Sequence, residues 1–343
     1  MNIKNKTILL MLLLLLVGQA SCRKARKIPV PDVDHIRIDL NLIRLEKILR
    51  AVDTAGPYSP LPRLAQEYPG IYECYSTNIL GFIPHNGEGK SDLKEISAYL
   101  NYPGFKAALD SVAKVFPDLD DLQEQLYQAF RYMRYHLPER PVPDVFTFVS
   151  EYRYGAVTCY DSLLGIGLDM YLGKDFTFYP ALGYPKYIMR RMSPEYVIRD
   201  AMMSLAQNDF GRDVSSDLLI DRMIHQGKLL YYLDLTLPET PDSIKIGYSS
   251  EQLQWCKKNE SEIWAYFLDD DRLFMNDRIR GSHYISTGPS TMGMPPEAPG
   301  NVGSWLGWQI VREFMWQNPD VSLKELMQMQ NGQKILRLSA YKP

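Results

Sequence analysis

The residues best equipped for chemistry in this 343-residue chain are five histidines, four cysteines and a few acid-rich or glycine-rich segments. His35, His85, His136, His225 and His283 are so far apart that no two lie one turn apart on a helix, the spacing a helical zinc site needs. His136 reads as a packed or surface residue, and His225 would need partners that no nearby spacing supplies. Gly165-Ile166-Gly167 opens like a dinucleotide fingerprint, but Met170 stands where the third glycine belongs. The chain also lacks a GxSxG elbow and a GxxxxGK(S/T) phosphate loop, so nucleotide is excluded as a ligand and no cofactor is expected. Asp269-Asp270-Asp271 lies near Arg272, Arg278 and Arg280 and reads as a solvated face in preference to a cation site.

Cys22 is the exception, because its surroundings specify a reaction. Lys4 and Lys6 precede an unbroken apolar run, Ile8–Val17, and Ala20-Ser21-Cys22 follows. A run this short cannot span a bilayer, and the order of segments is that of a bacterial secretory signal. A thiol directly after small residues is the acceptor for a diacylglyceryl group, although Gln19 stands where leucine is usual. The expected chain therefore has a signal peptide at 1–21 and a lipidated basic tether at 22–32, with Arg23-Lys24-Ala25-Arg26-Lys27 supplementing membrane affinity through anionic head groups. Loss of Lys4 and Lys6 takes the formal charge from −3 to −5, which leaves no basic surplus for nucleic acid. The remaining cysteines, Cys74, Cys159 and Cys256, permit one bridge and a free thiol or three buried thiols; without a CxxC pair, isolated buried thiols are the favoured reading.

The elements that must position any site follow from periodicity. With 45 % apolar and 12 % aromatic residues the chain can bury a sizeable core. A short strand in 32–45 turns into helix at 43–52, and helices at 92–100, 104–116 and 119–136 complete a helical half, residues 33–143. Leu122, Leu126, Ala129 and Met133 form a core stripe on the longest of these. From residue 144 the period shortens: 145–149, 156–160 and 163–168 are β-rich, with turn-length gaps, and predict an antiparallel meander. Helices return at 193–208, with Ser193 as cap and Pro194 at the first position, then at 216–233, 250–268 and 302–317. Gly303, Gly307, Ile310 and Phe314 share a face, so the GxxxG spacing there predicts close helix packing. The fold class is α+β, with residues 144–343 as a second half or residues 33–343 as one domain.

Several blocks coincide with a known family. Leu164-Gly165-Ile166-Gly167-Leu168-Asp169-Met170-Tyr171-Leu172-Gly173, Phe178-Tyr179-Pro180, the helix from Pro194, and Pro299-Gly300-Asn301-Val302-Gly303-Ser304-Trp305-Leu306-Gly307-Trp308-Gln309-Ile310-Val311 resemble the gliding-motility lipoprotein GldB family of the Bacteroidetes. That family is more distantly similar to predicted zinc-dependent peptidases of zincin-like fold. The resemblance implies that residues 144–343 are a degenerate zincin-like half, in which a meander precedes an HExxH helix and an acid on the next helix completes the metal site. The chemistry explains that spacing, since i and i+4 histidines share one helix face and zinc polarises the scissile carbonyl. Here Asp200-Ala201-Met202-Met203-Ser204 carries no histidine, and Gln226-Gly227 stands where Glu-Gly is expected. Asp200, Ser204 and Gln226 are thus degenerate site positions, and metal and catalytic residues are expected to be none.

What the resemblance implies is an outer-membrane-associated lipoprotein facing the periplasm, a non-catalytic accessory of the gliding or type IX secretion machinery within an envelope protein complex. The alternative from the enzyme class is a cell-envelope hydrolase with relocated groups, drawing on Asp200, Asp221 and His225. A weaker one is a glycan- or peptidoglycan-binding module, given 23 tyrosines and 5 tryptophans. Four Asp-Ser/Thr-apolar triplets match an O-glycosylation pattern, at Thr54, Ser111, Ser162 and Ser243, with Ser243 favoured because Pro238 and Pro241 flank it as loop.

Overall fold

Leu42–Arg44, Asp144–Phe148, Ala156–Cys159 and Leu163–Gly167 (β1 to β4) form one sheet in the order β1-β2-β4-β3. The structure is a computed structural model that describes residues 28–50, 61–82, 93–211 and 218–343; Cys22, everything before it and Thr54 lie outside the described residues. β2 and β4 are apolar on both faces (Val145, Phe146, Phe148; Leu163, Leu164, Ile166) and are buried along almost their whole length, so they take the centre. β1 and β4 run parallel to β2, and only the β3–β4 pair is antiparallel. The expected antiparallel meander is therefore wrong in its topology.

The reason lies just after β2. The buried carboxylate of Asp169 accepts hydrogen bonds from the amides of Ser150 (3.0 Å) and Tyr152 (2.6 Å), and Glu151 and Tyr152 adopt left-handed backbone with φ of 53° and 66°. This turns the chain out of the sheet instead of into a hairpin. It returns as the edge strand β3, and the turn at Tyr160–Ser162 then lays β4 between β3 and β2. The glycine that resembled a nucleotide fingerprint serves this packing: a Cβ at Gly167 would lie 1.9 Å from the Tyr154 carbonyl oxygen.

Among the described residues, six helices precede β2: α1 (Leu45–Arg50), α2 (Leu61–Glu67), α3 (Pro69–Glu73), α4 (Leu93–Leu100), α5 (Pro103–Val115) and α6 (Asp120–His136). A π-helical turn, Cys74–Ile79, follows α3, and the predicted stripe of α6 is buried throughout. Cys74 in that turn is bonded to Cys159 of β3, and Cys256 is a buried free thiol. The reading of three isolated thiols fails because a separation of 85 residues carries no spacing signal; only the fold brings the pair together. The bridge ties the α2–α3 segment to the sheet edge.

Among the described residues, ten α-helices follow β4: α7 (Lys186–Met189), α8 (Val197–Phe210), α9 (Leu219–Thr236), α10 (Asp242–Ile246), α11 (Ser250–Lys258), α12 (Glu260–Leu268), α13 (Arg278–Ile285), α14 (Val302–Gln317), α15 (Leu323–Gln328) and α16 (Gly332–Ser339). The expected helix at 250–268 is two, broken at Asn259, whose side chain instead donates to the Trp255 carbonyl. Ser193 does not cap: its hydroxyl accepts the Lys174 amide, and a 3₁₀ turn, Pro194–Tyr196, leads into α8.

The deepest packing is α9 against α14. Gly227 and Gly307 let the two backbones touch; a Cβ at Gly307 would lie 1.9 Å from the Met223 carbonyl oxygen. Farther along, the buried Asp234 carboxylate accepts from Trp308 Nε1 (2.8 Å), Arg312 Nε (2.7 Å) and Lys245 Nζ (3.1 Å), while the Arg312 guanidinium stacks 3.7 Å over the Trp308 ring. Residues Asp32–Pro343 constitute one compact unit, and β1, from the helical half, shares its sheet with β2 to β4.

Candidate functional site

Asp200 and Ser204 lie on α8 and line one cleft. Ile198, Ala201, Met202 and Leu205 of α8 are buried, which turns Asp200, Ser204 and Gln207 toward the opposite side. There they line a cleft of about 330 Å³ with Ala156 of β3, Tyr171 from the 3₁₀ turn after β4, and Arg191 just beyond α7.

Charge in this cleft is the reverse of a metal site. Asp200 Oδ1 accepts from Arg199 Nη1 at 2.6 Å and from Arg191 Nη2 at 3.4 Å, and Tyr171 donates its hydroxyl to Oδ2 at 3.1 Å. Arg199 is buried and also donates Nε to the Lys245 carbonyl at 2.8 Å. Burial, then Arg191, pulls the Arg199 pKa down, and Asp200 opposes both. Burial, then Asp200, pushes the Tyr171 phenol far up, so its proton stays in place. Two guanidiniums against one carboxylate leave a net positive wall that would repel a divalent cation and attract an anion. Among the described residues, no group of three or more histidine, cysteine, aspartate or glutamate side chains is placed to hold a metal ion.

The other sequence-stated positions lie apart from this cleft. Gln226 is half-buried on α9 and lines no part of it. Asp221 is engaged at the start of α16, where Oδ1 accepts the Gly332 amide at 2.6 Å. His225 is half-buried, its pKa lowered by burial and then by Lys228, whose ammonium donates to the Met329 carbonyl. Neither His225 nor Asp221 lines the cleft that holds Asp200. Ser111 donates to the Ala107 carbonyl within α5, and Ser162 is exposed in the β3–β4 turn. Ser243 belongs to the first turn of α10, not to a loop, and its neighbour Asp242 is paired with Arg312. Ser162 is thus the most open acceptor of the three described.

Sequence reasoning missed Tyr171, Arg191 and Arg199. A signal was present: Arg199-Asp200 is a charged pair inside the apolar segment Val197–Ala206, and such a pair persists in a buried stripe only if further partners hold it.

A second, larger cleft of about 850 Å³ lies between α6 and the proline-bounded segment 236–241. Leu119, Leu122, Ala129, Ile198 and Leu237 form its floor, and Asp118, Asp121, Glu124, Glu195 and Glu239 stand on its walls.

Residues 26–343 match the family model described as gliding motility protein GldB. No curated protein and no solved structure matches the chain.

Proposed function

This chain belongs to the GldB family of gliding-motility proteins, lipoproteins of the cell envelope, and from that premise we propose that it is a non-catalytic accessory of the gliding or type IX secretion machinery. In this reading Cys22 carries the acyl anchor in the outer membrane, the protein faces the periplasm, and it works within an envelope complex by binding. No helix among the described residues is long and apolar enough to cross a membrane. The basic run Arg23–Lys27 supports the periplasmic side, because surface-exported lipoproteins of this phylum tend to carry acids after the lipidated cysteine.

The observation that carries the non-catalytic reading is the pair of arginines on Asp200, at 2.6 and 3.4 Å. A zinc ion at that position would have to displace both guanidiniums and then bind with one carboxylate and no imidazole, whereas a catalytic zinc generally keeps three protein ligands. Two measurements test it. Zinc added to purified protein should leave the melting temperature unchanged, since a metal without affinity for the native state cannot shift folding. In a gliding host, Asp200→Asn should preserve gliding, whereas Cys22→Ala should lose lipid label and membrane retention. Stoichiometric zinc together with peptide hydrolysis abolished by chelation would overturn the proposal.

A further inference from the structure

The cleft beside α6 has a chemistry that the Asp200 site does not. Its floor is aliphatic, with Val115 and Ile244 extending the apolar surface outward, and Val115 is 39 % exposed. Its walls carry five carboxylates and no lysine or arginine. Asp118, Asp121 and Glu124 stand on the α6 side, and Glu195 and Glu239 are contributed by the other elements. All five are exposed, and among the described residues none is in an ion pair; Glu124 accepts only the uncharged amide of Gln128, at 2.9 Å.

We propose that this cleft docks an amphipathic segment of a partner protein, apolar on one face and flanked on both sides by lysine or arginine. The apolar floor gains by covering Leu119, Leu122 and Leu237, and the unneutralised carboxylates supply the charge that selects the partner and steers its approach. Length fits the same occupant. Leu122, Gln125, Ala129 and Tyr132 recur along the lining face of α6, a span of about 15 Å, which matches about three turns of a docked helix. Anionic lipid and nucleic acid are repelled by the same five groups. The surface is independent of whether the Asp200 cleft is catalytic, so its test can fail while the proposed function stands.

The experiment uses the chain from residue 22 with Cys22→Ser, so that neither acyl group nor detergent competes. The probe is a fluorescent peptide of about fourteen residues, long enough for a helix of that span, with leucines at i, i+3, i+4 and i+7 and lysines on both flanks. Anisotropy should show saturable binding that weakens as salt rises. Exchange of lysine for glutamate, or of leucine for serine, should each weaken it about tenfold or more. The double variant Glu124→Lys/Glu239→Lys should lose the lysine peptide to a similar degree and keep its melting temperature, because both positions are exposed. Equal affinity for the lysine and glutamate peptides, or unchanged affinity in the double variant, would overturn the proposal. So would a concentration-dependent dimer that the same variant abolishes, since the occupant would then be a second copy. Binding that emerges only after Arg23–Lys27 are replaced by serine would assign the cleft to the chain's own basic run, and would equally overturn it.

Discussion

Gly227→Ala tests whether the α9–α14 contact, and not a site residue, explains the glycine after Gln226. The added methyl would lie 2.3 Å from the Gly307 carbonyl oxygen, 2.4 Å from its carbon and 2.7 Å from the Trp308 amide nitrogen. All three are backbone atoms, so no side chain can swing aside and the helices must part by about 1 Å to restore contact near 3.5 Å. A gap of that size forfeits a quarter to a half of the dispersion energy of each contact across the interface, which places the strain near the upper end of overpacking, about 3 kcal/mol. Alanine returns about 1 kcal/mol of helix propensity, so the net loss is about 2 kcal/mol. Urea denaturation followed by tryptophan fluorescence is the assay, because Trp305 and Trp308 are buried at this interface. Gly70→Ala is the control: its Cβ meets only Leu163 Cδ1 at 3.5 Å, an ordinary contact, and stability should hold or rise slightly. A Gly227→Ala midpoint equal to that of Gly70→Ala would refute the reasoning.

Asp234→Ala should cost about 3–5 kcal/mol, because it strands Lys245 and leaves Arg312 with Asp242 alone; chemical denaturation reads this directly. Reduction of Cys74–Cys159 should remove up to about 4.6 kcal/mol, as expected for a crosslink closing a loop of 85 residues, and thiol labelling of the unfolded, unreduced protein should find Cys256 but not the bonded pair. Asp169 is buried, and burial raises its pKa to about 7 against the opposing pull of the Tyr152 and Ser150 amides. Its folded pKa exceeds the unfolded value, so the protonated group's contribution is present below about pH 4 and is lost as pH rises to about 7. Stability relative to Asp169→Asn should therefore fall across that window, by up to about 1.4 kcal/mol per pH unit, and a flat difference in pH-dependent melts would contradict it. Peptide fragmentation mass spectrometry of protein from a gliding host should place any O-linked glycan on Ser162 before Ser243, since the former is exposed and the latter sits in a helical turn beside an ion pair.

The sequence by itself determined the buried faces of the long helices. Val302–Gln317 and the buried stripes of Asp120–His136 and Val197–Phe210 follow from apolar period alone, because a helix's register is set by neighbours three and four residues away. GxxxG spacing likewise announced a close helix contact. Most of what the sequence left open involves partners remote along the chain. The parallel placement of β4 beside β2 depends on the Asp169 carboxylate reaching back to Ser150 and Tyr152, and no local pattern around residues 150–155 encodes that. The Cys74–Cys159 bond, the Tyr171 hydroxyl on Asp200 and the capture of Asp221 by Gly332 have the same origin. Hydrophobic burial is nearly indifferent to which residues meet and fixes faces locally, whereas bonds and ion pairs need two particular groups brought within about 3 Å. Only the packed tertiary structure brings them there.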